Sequence, residues 1–442
     1  MMNSMTRQRS RVTIFVICWL CLLADGYDLY VYGATLPGLV GVPPFAVTPQ
    51  AAGAVGSLAL VGMLLGSLVV GTLTDRLGRR RIFIGAVALF SVAMLACAAA
   101  PSWEAFAAFR FIACFGVGGL LPTAVALANE FADPARKSFT LGIVLTGPAA
   151  GTVVASLTAL ALLEDHGFRP VYAVGGLGLL LAPLAWFLLP ESPAFLRAAG
   201  RSAEADRTAA AYGMPLTAEL PPQPATRTSP IAALFAPGFR RPTLGIWAVT
   251  VLSLLTIFGI STWLPQIMRG AGFGVGSAIT FLLAYSIGAM VGTVLASLGS
   301  QKYGPKPLVA VGFASAATAL LLMSANPPSG LMMLLVAVAG FGGLGTQNMI
   351  NDYVAQSYPA GVRATGLGWA LAVGRLGAIA GPSYGAFIIS FGGGVPVAAV
   401  AFAVPALIGG ILMLFLPRSG SDVLPPATAS DTNSAPIKGT IS

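Results

Sequence analysis

Residues 71–81 read GTLTDRLGRRR, a turn rich in glycine and arginine between two runs, 51–71 and 82–100, that hold no charged residue. Each run has about the 20 residues that an α-helix needs to cross a bilayer. The turn therefore reads as a loop joining two membrane-spanning helices. Ten further apolar stretches of similar length follow the same rule, at about 12–40, 103–127, 138–162, 170–189, 242–266, 275–298, 307–325, 330–352, 364–389 and 394–416. Composition agrees: of 442 residues, 56% are hydrophobic and 9% charged, against about 25% charged in soluble domains. A water-soluble globule could not hide that much apolar surface. The first stretch is too long for a cleaved signal peptide and carries Asp25 and Asp28. No alternation of the β-barrel kind appears.

The opening turn also has a worn copy. SLGSQKYGPKP at 297–307 aligns with it on Gly78 and Gly304, which sets Arg76 against Lys302, Arg80 against Lys306 and Asp75 against Gln301. GPAAGTVVAS at 147–156 matches GPSYGAFIIS at 381–390, and Asn129-Glu130 matches Asn351-Asp352. The chain is thus expected to be an all-α polytopic membrane protein of 12 transmembrane helices in two pseudo-symmetric six-helix halves. The segments are an N-terminus 1–11, a half 12–189, a central loop 190–241 with a short amphipathic helix and a Pro-rich linker, a half 242–416, and a disordered tail 417–442. Such six-plus-six repeats belong to secondary transporters, whose substrate sites lie between the halves near mid-membrane.

Charge sets the orientation. Twenty of the 24 Lys and Arg residues fall in even-numbered loops and the two tails, while only Arg169 and Arg269 fall in odd loops. Cytoplasmic loops carry the excess of Lys and Arg, so both termini are expected in the cytoplasm. The net charge of +9 is this signal and does not call for nucleic acid. No GxxxxGK[ST] motif supports ATP-driven pumping, and neither an enzyme nor a cofactor is indicated. Cys18 and Cys21 form a CxxC at helical spacing in lipid, read as packing thiols and not a metal site. His166, the one histidine, lies in a short odd loop.

A charge at mid-membrane costs at least about 2.5–3.5 kcal/mol, so each is a functional candidate. Four stand out: Asp25, Asp28, Arg110 and Arg375. Asp25, Asp28 and Tyr32 share one helix face at i, i+3 and i+7, which lipid would not tolerate. Gly26 and Gly33 let that helix bend or be approached closely. At 1.5 Å per residue, Asp28 lies about 13 Å below Pro37 and Arg110 about 14 Å below Pro101. An ion pair or a shared substrate is therefore within reach. Arg375, about 18 Å from Arg363, sits near mid-depth. Two carboxylates so close in a low dielectric cannot both ionise cheaply, which makes the pair a candidate proton site. The plainer alternative is that buried Asp/Arg pairs hold helices together.

In the opening turn, Asp75 reads as a gate element, with Arg76, Gly78, Arg79 and Arg80 around it and Glu130 and Arg136 as network partners. A positive-inside anchor would explain the arginines but not the embedded Gly-x-x-x-Asp-Arg-x-Gly pattern. Ser253, Thr256 and Trp263 share a face of the seventh span, and Phe281 and Tyr285 a face of the eighth. Gln347, Asn348 and Asn351 form a polar patch on the tenth. Each set could line a cavity for a flat aromatic anion, or simply pack helices. The Gly-Pro pairs at 147–148 and 381–382 read as bends.

GTLTDRLGRRR resembles the loop 2–3 signature of the major facilitator superfamily, where PESPAFL (190–196) also recurs. DGYD (25–28), RFIACFGVGG (110–119) and YPAGVRATGLGWALAVGRLGAIAGP (358–382) together resemble its aromatic acid:H+ symporter family. The likeness runs from 12 to 416. It implies a bacterial inner-membrane carrier, functional as a monomer, that takes up benzoate-like or hydroxybenzoate-like anions with protons. It also implies that Asp25 and Asp28 are required for transport, and assigns roles to Asp75, Arg110, Glu130 and Arg375. Gln301 departs from the acidic residue usual in the second loop, which puts symmetrical gating in question. In the expected mechanism the two halves rock around the substrate, held by Arg110 or Arg375 against rings such as Tyr32 or Trp263. Rival readings are symport of another acid or a sugar-like solute, efflux by antiport, and a non-transporting sensor.

Overall fold

In a computed structural model of the chain, residues 10–133, 136–214, 232, 234–236 and 238–417 are described, with the backbone alone at 75, 138, 301, 360, 361 and 364. Among the described residues, twelve helices are long and apolar enough to cross a membrane. The first half holds α1 (Val12–Gly38), α2 (Pro49–Thr74), α3 (Arg79–Ala99), α4 (Trp103–Phe131), α5 (Phe139–His166) and α6 (Phe168–Leu188). The second holds α7 (Arg240–Gly270), α8 (Val275–Ser300), α9 (Pro305–Met323), α10 (Ser329–Ser357), α11 (Thr365–Ser390) and α12 (Gly394–Phe415). The first nine residues, the Pro-rich linker and, beyond Pro417, the tail expected to be disordered lie outside the described residues.

Local chemistry explains the helix ends. Thr48 and Ser102 accept the backbone N–H three residues on, at 3.3 and 3.2 Å, as N-caps do. The helices before Gly78 and Gly304 stop there, with φ of +98° and +75°, and the next helix begins at the following residue. Only glycine takes that conformation without strain. The two glycines that align the repeat thus make the same one-residue corner in each half.

The halves are also packed alike. In the first, α1 lies on α5, α2 on α4, and α3 between α4 and α6; in the second, α7 lies on α11, α8 on α10, and α9 between α10 and α12. Between halves, α2 packs on α11, its counterpart α8 on α5, and α1 on α7. Hydrogen bonds across this seam include Arg269 to the Pro37 carbonyl, Ser57 to Ser383 at 2.7 Å, and Arg375 to α2. They lie toward the odd-loop end or near mid-depth. That end is closed, while α4 and α10 stay packed within their own halves.

Two expectations change. The central loop carries two short helices, Pro193–Ala198 and Ser202–Ala211, where one was expected. Gly200, at φ +74°, turns the chain between them. The Gly-Pro pairs do more than bend the chain. The Pro148 carbonyl lies 2.0 Å from where a Cβ on Gly26 would stand, and Gly381 packs on the backbone at Gly259. In each half the pair seats the fifth helix on the first.

Candidate functional site

The glycine seam fixes the first helix. With Gly26 pressed to α5 and Gly33 to the Ser261 carbonyl of α7, the opposite face of α1 turns its carboxylates inward. Asp28 is fully buried, and its Oδ1 accepts Arg110 Nη1 at 2.6 Å. Arg110 also donates to the Asp28 carbonyl at 3.2 Å, and the Cys114 thiol donates to Asp28 Oδ2 at 3.5 Å. The guanidinium lies between the rings of Tyr32 and Tyr172, 5.7 and 5.8 Å from their centroids. Both rings are tied down: Tyr32 donates to the Ala52 carbonyl at 2.5 Å, and Tyr172 shares a 3.3 Å hydrogen bond with Thr35. Above them Phe106 stacks on Trp103 and meets Phe45 and Phe168. The ion pair is thus sealed within the first half.

Asp25 differs. It is equally buried, but its Oδ1 has no hydrogen-bond partner. The charges acting on it are Asp28, one turn on, and Arg375 of the other half. Arg375 is only half-buried, and its Nη1 donates to the Met63 carbonyl at 3.0 Å and to Ser67 Oγ at 2.5 Å, both on α2. The first half thus holds a buried carboxylate oxygen without a hydrogen-bond partner, and the seam holds a cation from the second half that is bonded to neutral groups. Such a cation can accept an anion, and such a carboxylate can hold a proton.

The other candidates fall elsewhere. Trp263 is fully buried, and its indole donates to the Pro382 carbonyl at 2.7 Å, joining α7 to α11. Thr256 bonds the Leu252 carbonyl of its own helix. Asn351 accepts from Gln347 at 3.1 Å, while Asn348 is exposed and reaches Thr293 at 3.5 Å. Tyr285 and Phe281 are buried on α8. Cys18 and Cys21 are free and buried.

At the even-loop end, Arg79 pairs with Glu130, which also accepts Ser192 Oγ at 2.5 Å. Glu191 accepts the backbone N–H groups of Arg80 and Ser192, each at 3.0 Å, a favourable place for an anion at the start of α3. Arg80 donates to the Trp186 carbonyl at the end of α6, and its aligned partner Lys306 donates to the Leu414 and Leu416 carbonyls at the end of α12. Arg76 and Arg136 are exposed, outside the Arg79–Glu130–Ser192 cluster. The side chains of Asp75 and Gln301 lie outside the described residues. In the second half Asp352 accepts from Ser300 at 2.7 Å and Gln356 at 3.0 Å, neutral donors where Glu130 has an arginine.

Sequence reasoning missed Tyr172, Cys114, Ser67, Glu191 and Ser192. The last two stand in the PESPAFL motif, which flagged their loop; the others are ordinary residues of apolar spans.

The sequence matches the pattern of the Major Facilitator Superfamily over residues 18–382 and 282–440. It is 32% identical to a gallate transporter of Pseudomonas putida, over 94% of each chain. It is 29% identical to a benzoate transport protein of Acinetobacter baylyi, over 97% of this chain and 95% of that one. Among solved structures, a bacterial homologue of the human lysosomal transporter Spinster superposes with a TM-score of 0.75 at 17% identity, over 94% of this chain and 99% of that one.

Proposed function

The chain belongs to the major facilitator superfamily, and from that premise we propose that it carries an aromatic carboxylate such as benzoate or a hydroxybenzoate into the cell together with protons. The relatives named as gallate and benzoate transporters support the cargo. The observation that carries the coupling is the buried Asp25, whose Oδ1 has no hydrogen-bond partner, together with an Arg375 from the other half that is bonded to neutral groups of α2. In this reading Arg375 receives the carboxylate of the acid and Asp25 the proton. Asp28 has its cation in Arg110, so that pair positions α1 against α4 and stays charged throughout. Asn348, Asn351 and Trp263 act through helix packing.

The Lys and Arg distribution supports cytoplasmic termini. The closed odd-loop end then faces outward. Glu130, Arg79 and the loop around Asp75, Arg76, Gly78 and Arg80 form the gate at the opposite end, with Arg136 near it. A monomer suffices, because both halves of the site come from one chain.

The test is transport by purified protein in proteoliposomes. An inward proton gradient should drive uphill accumulation of radiolabelled benzoate or a hydroxybenzoate, and a protonophore should abolish it. If neither acid accumulates, the reading fails.

A further inference from the structure

Two adjoining cavities, of about 790 and 340 Å³, open where α3 and α6 meet the short helices of the central loop, and Arg80, Glu191 and Arg201 line both. Arg207 adds a charge to the larger, and Arg76 and Arg81 to the smaller. Five arginines therefore face two carboxylates, and both carboxylates are engaged. Glu191 caps the start of α3, and Glu204 is held by Arg201 at 2.6 Å, whose hydrogen bonds keep its carboxyl below the usual range. Arg80 lies at the join, with its ring-stacked guanidinium 5.3 Å from the centre of Trp186 and its buried Nε without a partner.

The mouth is as informative as the charge. Phe187 and Leu188 line the larger cavity and are 80% and 42% exposed. Above them on α6, Leu177, Leu180 and Leu184 are exposed at i, i+3 and i+7, a continuous apolar track toward mid-membrane. A small soluble anion needs the arginines but has no use for this track. A ligand with a phosphate head and hydrocarbon tails uses both.

We propose that this cavity binds the headgroup of an anionic phospholipid, its phosphodiester among Arg80, Arg201 and Arg207 and an acyl chain along Leu184, Leu180 and Leu177. Planar guanidinium groups match phosphate oxygens in pairs, and basic pockets at the ends of membrane helices are suited to such headgroups. Bound there, the lipid ties α6 and the central-loop helices to Arg80, next to the Glu191 cap and the Arg79–Glu130–Ser192 cluster.

The experiment is native mass spectrometry of the full-length protein in detergent, titrated with phosphatidylglycerol or with phosphatidylcholine of the same chains. Phosphatidylglycerol should bind one equivalent in clear preference. The double variant Arg201→Gln/Arg207→Gln should weaken it by about 30-fold, for two charges at a lipid surface. Arg201→Lys/Arg207→Lys should retain most of the affinity, and the thermal unfolding midpoint of each variant checks that it is folded. Equal binding of the two lipids, or unchanged phosphatidylglycerol binding by a folded Gln variant, would overturn the proposal. So would glycerol phosphate or inorganic phosphate competing as well as the lipid does, since that would make the site one for free phosphate.

Discussion

Asp25 and Asp28 stand three residues apart on one helix, yet their surroundings separate them completely. Asp28 is locked to Arg110 at 2.6 Å, and Asp25 keeps an oxygen without a partner. Their substitution should therefore fail in different ways. Asp28→Asn strands Arg110 as an unpaired buried charge, and removing one partner of a buried pair costs about 3–5 kcal/mol. The purified variant should unfold at a clearly lower temperature and transport poorly in every assay. Asp25→Asn removes a carboxylate that had no partner, so stability should hold. That variant should still exchange labelled for unlabelled acid across proteoliposomes, yet fail to accumulate it against a gradient. Equal loss of exchange in both variants would remove the division of labour between them. The sequence made an ion pair or a shared substrate between this helix face and Arg110 legible, because helical spacing and depth arithmetic place the groups. It did not reveal which aspartate is paired, since that depends on the turn of α1 imposed by Gly26 against Pro148.

At the scale of helices, the twelve spans follow from apolar length alone, within a few residues at each end. The repeat read from Gly78 and Gly304 proved structural down to the side chain, as Arg80 and Lys306 each close the sixth helix of their own half. What periodicity could not show is which helices touch. Small residues carry that information, and their partners lie far along the chain. Gly26 and Gly33 illustrate the difference. A Cβ on Gly26 would meet α5 of the same half, a contact the fold needs in every state. A Cβ on Gly33 would stand 2.2 Å from the Ser261 carbonyl of the other half, a contact of the closed odd-loop end only. Gly33→Ala should thus leave the protein folded and shift it toward the opposite state. A cysteine at Ser57, which now faces Ser383 at 2.7 Å, should react several-fold faster with an impermeant maleimide in that variant. The native cysteines are all buried, so the background is low. An unchanged labelling rate would mean that the Gly33 seam does not control closure.

For the whole molecule, the number of unpaired carboxylates in the seam sets the energetics of uptake. One aromatic monoanion moving with one proton carries no net charge, so accumulation follows the pH gradient alone, about tenfold per pH unit. A second proton would add one charge, worth about 2.3 kcal/mol per 100 mV, or roughly 50-fold more accumulation. The second aspartate is what such a mechanism would need, but Asp28 is fully buried and held by Arg110 and the Cys114 thiol, and Arg110 is itself fixed by Met94 and the rings of Tyr32 and Tyr172. Releasing it would leave Arg110 uncompensated in every cycle. Uptake of benzoate should therefore be electroneutral. Proteoliposomes adsorbed to a solid-supported membrane should give no sustained current when benzoate is added, and a potassium diffusion potential should leave the accumulation ratio unchanged. A current of one charge per acid would mean that the Arg110 pair opens during transport and that both aspartates carry protons.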